Sequence, residues 1–248
     1  MTDQPTPDDT ADDTGRERLI EAALSHALFD GMNETAIEAG ARDIGMDMRL
    51  ARVHLPGGGA DLAAACHRRG DAALARWLAQ NPPQGGIRDK VAAAVIYRLG
   101  RTDRELARAG AAILSLPQNA GLGARLIWES ADTIWDGIGD TSQDVNWYSK
   151  RASLSAIYGA TALYWLGDDS PDLQDTRRFL DRRIEGLMRF EKMKSFARKL
   201  PGVGAASDLA TGWIRKPGAR DLPGHWWSRG RAHAAPDSAQ AGQEGASE

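Results

Sequence analysis

"RERLIEAALSHALFDGMNETAIEAGARDIGMDMRLARVHLPGGGADL", residues 16–62, is a run of short apolar-periodic segments punctuated by glycine. Leu19, Ala22, Ala23 and Ala27 recur at spacings of three and four, which places them on one face of a helix ending at Gly31. A second helix, about residues 35–41, meets a tight turn at Gly45. A third runs to His54, and the turn Pro56, Gly57, Gly58, Gly59 follows.

The same spacing continues through the chain, in Leu74, Trp77, Leu78, in Val91, Val95, Ile96, Leu99, and in Ile127, Ala131, Ile134, Ile138. Breaks fall at Asn81, Pro82, Pro83, at Leu116, Pro117, around Gly137 to Gly139, and from Asp168 to Pro171. No strand alternation of comparable length occurs, so the fold class is all-α, a helical bundle of about nine helices. The expected organisation is a disordered acidic arm over 1–14, a three-helix lobe over 15–65, a helical domain over 66–200, an amphipathic segment over 201–233 and a disordered tail over 234–248.

The 248 residues are 42% hydrophobic and 26% charged, ordinary values for a globular protein. One cysteine, Cys66, rules out a disulfide framework and any multi-cysteine metal centre, and the five histidines show no ligand spacing, so no metal is expected. These features fit a reducing compartment, and the acidic N-terminus has neither a signal peptide's apolar run nor a transit peptide's arginines. The expected location is cytoplasmic. Residues 1–30 hold eight acids against two arginines, the reverse of what an N-terminal lobe needs to grip phosphates.

A second stretch, "GDTSQDVNWYSKRASLSAIYGATALYWLGDDSP" (139–171), bears on function. Thr141 and Asp144 have capping-box spacing, which starts a helix near Ser142, and Ser170, Pro171, Asp172 open the next one. Residues 152–166 carry no charge on any face, the mark of a helix surrounded by protein or holding an apolar guest; they are too few for a bilayer span, which needs about twenty. Trp147 and Arg151 share a face, with Asp144 one turn earlier. Such a set composes either an interface hot spot or a buried tryptophan with an ion pair joining two helices.

Two resemblances follow. Residues 15–65, with their "Gly-Met-Asp … His-Leu-Pro-Gly-Gly … Asp-Leu" run, resemble the N-terminal lobe of Tet-repressor-like proteins, in which a helix-turn-helix would put residues 47–53 in the major groove with Arg49 and Arg52 as contacts. The alternative is the same scaffold kept without DNA binding, and nucleic acid is not an expected partner. Residues 139–188 resemble the ubiquinone-biosynthesis family known as coenzyme Q nine, through Asp-Thr-Ser-x-Asp-x-Asn-Trp-Tyr-x-Lys-Arg at 140–151 and Asp-Ser-Pro-Asp-x-x-Asp-Thr-x-x-Phe-Leu at 169–180.

That second resemblance implies a Tet-repressor-like dimer whose core encloses an apolar tunnel for an isoprenoid or other lipid and which presents ubiquinone precursors to a membrane-associated hydroxylase. It implies a partner-binding surface at Ile134, Ile138, Asp144, Trp147, Tyr148 and Arg151. Trp128, Leu154, Tyr158, Ala162 and Trp165 are candidate lipid-lining residues, each equally readable as plain core. Residues 189–199 hold five basic residues against one acid, and Val203, Ala206, Ala210 and Trp213 form a stripe where the family has an amphipathic membrane-seeking helix. Phe196, Trp213, Ile214, Trp226 and Trp227 are the expected membrane contacts, peripheral on the inner face of a bacterial membrane; a basic helix that only solvates one face is the alternative. No nucleophile elbow, phosphate loop or His-Glu-x-x-His is present, so the reading is a protein that is not an enzyme, with bound isoprenoid or phospholipid in place of a cofactor.

Overall fold

A computed structural model describes residues 7–142 and 145–198, with side chains accounted for over 13–142 and 146–189. Among the described residues, nine α-helices and one 3₁₀ turn follow in chain order: α1 (Pro7–Asp30), α2 (Glu34–Asp43), α3 (Met48–His54), α4 (Gly59–Gln80), α5 (Ile87–Gly100), α6 (Arg104–Leu114), α7 (Ala120–Gly137), α8 (Val145–Leu166), the turn at Pro171–Leu173, and α9 (Gln174–Arg198). There is no strand among the described residues. The all-α expectation holds, and the helix count with it.

Local chemistry sets the helix ends. The side chains of Asn33, Asp47 and Asp103 accept from the backbone N–H of Ala36, Arg49 and Leu106, which satisfies a donor that the first turn would otherwise leave unpaired. Gly31 and Gly45 sit at φ of 80° and 67°, the left-handed region in which a side chain is strained, so the chain turns after α1 and α2 where the glycines stand.

Helices α1 to α3 and the start of α4 enclose one core, built on Leu19, Ile20, Ile37, Leu55 and Leu62. A second core, built on Leu74, Leu78, Val95, Ile134, Leu154 and Leu180, joins α4, α5, α7, α8 and α9. Helix α4 supplies both, Leu62 to the first and Leu74 and Leu78 to the second. The boundary expected at 65/66 therefore falls inside a continuous helix that links the two parts. Glycine makes the closest packing possible, since a Cβ at Gly40 would lie 2.5 Å from the backbone nitrogen of Ala23, where α2 crosses α1.

Three expectations are corrected. Helix α1 begins at Pro7, inside the stretch expected to be disordered. Ser142 itself is not helical and helix α8 is described from Val145, with Gln143 and the capping partner Asp144 outside the described residues. Residues 152–166 are not enclosed on all sides: Leu163 is 69% exposed, and Ala152, Ala156 and Tyr164 also face solvent, since apolar side chains make up much of any folded surface. Among the described residues no helix is long and apolar enough to cross a membrane.

Candidate functional site

Two features meet on α8. The first joins it to α7. Asp132 and Asp136 project from α7 at i and i+4, Asp140 follows one turn later, and all three converge on Arg151. Its Nε donates to Asp132, Nη2 to Asp136 at 2.7 Å and Nη1 to Asp140 at 3.2 Å. The guanidinium also lies 4.0 Å from the centroid of the Trp147 ring, which tilts against Trp128 at 6.1 Å. Lys150 completes the cluster by donating to Asp140 at 2.7 Å, and its ammonium stands 5.2 Å from the Trp135 ring. Burial pushes the Asp140 carboxyl up, but the hydrogen bonds from Lys150 and Ser142 and the nearby cations outweigh it and hold the pKa at about 2.

This arrangement corrects the expected partner surface. Trp147 is 2% exposed and Arg151 and Ile134 are fully buried in the single chain, so they shape a helix junction and offer no surface of their own. Ile138 and Tyr148 are half-buried at its edge, and Asp144 lies outside the described residues. Of the two readings left open for Trp147 and Arg151, the buried tryptophan with an ion pair between helices is the one found. The three acids that draw Arg151 inward were missed, although the four-residue spacing of Asp132, Asp136 and Asp140 is visible in the sequence.

The second feature is a cavity of about 420 Å³ between α4, α5, α6, α7 and α8. Of the candidate lipid-lining residues, Tyr158, Ala162 and Trp165 line it. Room exists because the facing helices carry small residues: Ala107, Gly110 and Ala111 on α6, Gly123 and Ala124 on α7, Gly159 and Ala162 on α8. Leu106, Leu114, Ile127, Leu163 and Leu166 supply most of the remaining apolar wall. Leu154 instead lines a separate groove of about 480 Å³ with Val91, Trp135, Ile184 and Met188, while Trp128 lines neither and packs on Trp147. The five candidate lining residues thus divide three, one and one.

One wall of the cavity is polar and was not foreseen. Arg98 of α5, 3% exposed, donates from Nε to Asp71 at 2.8 Å, from Nη1 to Thr102 at 2.7 Å and from Nη2 to the carbonyl of His67 at 2.8 Å. Ser130 of α7 donates to the same Asp71 oxygen at 2.8 Å and lies 2.8 Å from His67 Nε2. Burial holds the His67 imidazole below its ordinary pKa against the pull of Asp71, and burial likewise raises the Tyr158 hydroxyl and the Cys66 thiol. The sequence signal was the helical spacing of His67 with Asp71 and of Arg98 with Thr102, but nothing in the sequence pairs the two helices.

The other candidate residues lie apart from the cavity. Arg49 is exposed and bonded to its own Asp47 at 3.2 Å, and Arg52 pairs with Glu34 of α2 at 2.9 Å. The side chain of Phe196 and all of Trp213, Ile214, Trp226 and Trp227 fall outside the described residues. Among the described residues, no group of three or more His, Cys, Asp or Glu side chains is placed to hold a metal ion.

The architecture is that of the Tet-repressor class: a TetR transcriptional regulator from Nitrosomonas europaea ATCC 19718 superposes with a TM-score of 0.52 at 14% identity, covering 69% of this chain and 97% of that one, a likeness of fold alone. Residues 120–191, which span α7, α8 and much of α9, match the COQ9 family model. The mitochondrial ubiquinone biosynthesis protein COQ9 of Xenopus tropicalis is 30% identical over 185 residues, 70% of this chain and 57% of that protein. The COQ9 proteins of Rattus norvegicus and Homo sapiens are 43% and 40% identical over 94 residues, 38% of this chain and 29% of each relative. The chain thus spans little more than half the length of the Xenopus relative.

Proposed function

We propose that this protein serves ubiquinone biosynthesis as a lipid-binding accessory factor that holds an isoprenoid quinone precursor and presents it to a membrane-associated hydroxylase. The observation that carries this reading is the apolar cavity of about 420 Å³ whose α8 wall, Tyr158, Ala162 and Trp165, belongs to the COQ9-matched segment. The names of the COQ9 relatives support the pathway. In this reading the protein acts without chemistry of its own, works as a homodimer, and docks peripherally on a membrane through residues beyond α9, from the cytoplasmic side of a bacterial inner membrane. Ile138 and Tyr148, at the rim of the Arg151 junction, are the described members of the proposed partner surface, and the buried Trp147 and Arg151 hold that rim in shape.

The test is organic extraction and mass spectrometry of the purified protein. An isoprenoid or acyl lipid is expected in the extract, and Ala162→Trp, which fills the cavity, is expected to deplete it while the helical content stays native. A lipid-free extract, with quinone levels unchanged on loss of the gene, would overturn the reading. A ligand-responsive transcriptional regulator is the second reading, favoured by the fold alone. Arg49 and Arg52, its DNA contacts, are engaged with Asp47 and Glu34. A gel shift at low salt that disappears in Arg49→Ala/Arg52→Ala is what would promote it.

A further inference from the structure

We propose that the Arg98 wall of the cavity is a head-group subsite, which takes the uncharged oxygen head of a single-chain amphiphile head-first and leaves the tail to exit between α6 and α8. The inference rests on the lipid-binding reading and adds to it which end of the ligand enters, which side chains read it and what charge it carries.

Size comes first. A cavity of about 420 Å³ lies toward the low end of the roughly 300–1,000 Å³ typical of small-molecule sites, so a long polyprenyl chain extends beyond it. Only one end of a long amphiphile can be inside. The side chains decide which end. Among the lining residues Arg98 and Tyr158 are buried, whereas Ser115, Ala120, Ala124 and Leu163 are exposed and mark the mouth. The deep end thus sets the Arg98 guanidinium and the Tyr158 hydroxyl among buried apolar side chains, Leu99, Leu126 and Trp165, where an oxygen head finds a polar partner and a hydrocarbon end leaves it unmet.

The deep end also has hydrogen-bonding capacity to spare. A guanidinium carries five N–H donors, and three are used on Asp71, Thr102 and the His67 carbonyl, which leaves two among the described residues. Asp71 Oδ2 is buried with no hydrogen-bond partner among the described residues. Buried polar groups left this way are costly, and a ligand oxygen that accepts from Arg98 relieves part of that cost.

Charge then selects among oxygen heads. The Arg98 cation is already matched by the Asp71 carboxylate at 2.8 Å, so the cluster is neutral as a pair. His67, Tyr158 and Cys66, the other titratable groups lining the cavity, are each shifted by burial towards their uncharged forms. A carboxylate or phosphate head would lose its hydration without gaining an unmatched cation. An alcohol, phenol or carbonyl oxygen avoids that loss and still accepts the hydrogen bonds. Gly70 is the device that allows the guanidinium this position, since a Cβ there would lie 2.3 Å from Arg98 Cζ.

The experiment uses delipidated full-length protein loaded with the uncharged fluorophore N-phenyl-1-naphthylamine. Decane, 1-decanol and decanoate at pH 8 are titrated as competitors. We expect 1-decanol to displace the fluorophore about tenfold more tightly than either of the others, the worth of one charge-assisted hydrogen bond. Lengthening the alcohol to 1-hexadecanol is expected to cost no affinity, because the added carbons leave by the mouth. In Arg98→Met/Asp71→Leu, which removes both charges together, the preference for 1-decanol over decane should vanish while decane still binds. Equal binding of all three competitors, or loss of affinity in 1-hexadecanol, overturns the subsite and leaves the lipid-binding reading standing. A preference for decanoate overturns the uncharged-head assignment, and failure of every probe to bind overturns both readings.

Discussion

Gly70→Ala sets two known effects of opposite sign against each other. Residue 70 lies inside α4, where alanine is favoured over glycine by about 1 kcal/mol on intrinsic propensity alone, so without tertiary contacts the variant would be more stable. The new Cβ, however, would sit 2.3 Å from Arg98 Cζ and 2.5 and 2.6 Å from its two terminal nitrogens, closer than non-bonded atoms approach. An exposed arginine would swing aside at little cost. This one is 3% exposed and fixed by hydrogen bonds to Asp71, Thr102 and the His67 carbonyl, so moving it takes from Asp71 the arginine that balances its charge and leaves it the Ser130 hydroxyl. Breaking a buried ion pair from one side costs about 3–5 kcal/mol. The net expectation is a loss of about 2–4 kcal/mol, which for a protein of this size lowers the melting temperature by roughly 4–16 °C. Thermal unfolding followed by circular dichroism measures it. Gly186→Ala in α9 is the control, because a Cβ there meets nothing within 4 Å, and it should gain up to about 1 kcal/mol. If Gly70→Ala melts at or above the wild-type temperature, as the control should, then the Arg98 guanidinium is not held against α4 and the subsite built on it falls.

The remaining predictions concern the α7, α8 and α9 junctions. The Asp140 pKa is about 2 in the folded chain against about 3.9 unfolded, so its stabilising effect is complete above pH 4 and is lost as pH falls towards 2; Asp140→Asn should flatten the acid limb of a urea-midpoint titration, and an unchanged limb would refute the assignment. Asp168 accepts from the backbone of Ser170 and Thr176 and from the Thr176 hydroxyl, with its pKa also driven down by those bonds against burial, so Asp168→Ala should cost about 2 kcal/mol, the upper end for a helix cap. A stability within 0.5 kcal/mol of wild type, about the spread of surface substitutions, would show that α9 does not depend on that cap. Trp147→Lys should unfold the chain, since it replaces a ring 2% exposed with a second cation beside Arg151; a native circular dichroism spectrum would mean that the ring lies at the surface after all.

How much of this was legible depended on whether the signal was local. Helix ends are set within a turn by Asn33, Asp47 and the glycines at 31 and 45, so the N-terminal lobe was readable residue by residue. Tyr158, Ala162 and Trp165 recur at helical spacing on one side of α8, and that shared side is what brings them to one cavity. Leu154 and Trp128 do not join them, because which groove a side chain enters depends on the neighbouring helix. The Trp147 motif shows the same limit more sharply. An aromatic beside an arginine has one composition at an interface and in a core, and the deciding carboxylates Asp132 and Asp136 lie fifteen and eleven positions upstream on another helix. Likewise His67, Asp71, Arg98 and Ser130 come from three helices, and only their packing makes them one cluster.

The two walls of the cavity have different origins in the chain, and this bears on how ligand choice can vary. The wall on α7 and α8 lies within the COQ9-matched residues 120–191, while Arg98, His67 and Thr102 lie upstream, on α4, α5 and the turn after α5. On the proposed lipid-binding reading, the α8 wall of Gly159, Ala162, Leu163, Trp165 and Leu166 offers apolar contact that discriminates little between ligands differing only in their polar ends. Discrimination of that kind needs hydrogen-bonding groups that are left unpaired by the wrong ligand, and those are on the upstream wall. On the proposed reading, changing one side chain there, such as Thr102 or His67, is expected to alter which head is tolerated while leaving the α7 and α8 packing that Arg151 fastens. The Arg151 junction and the Arg98 cluster are both buried arginines matched by aspartates, but all three aspartates around Arg151 are hydrogen-bonded to it, whereas Asp71 keeps one oxygen, 3.6 Å from His67 Nε2, without a hydrogen bond among the described residues. The first is closed and structural, and the second is the open one.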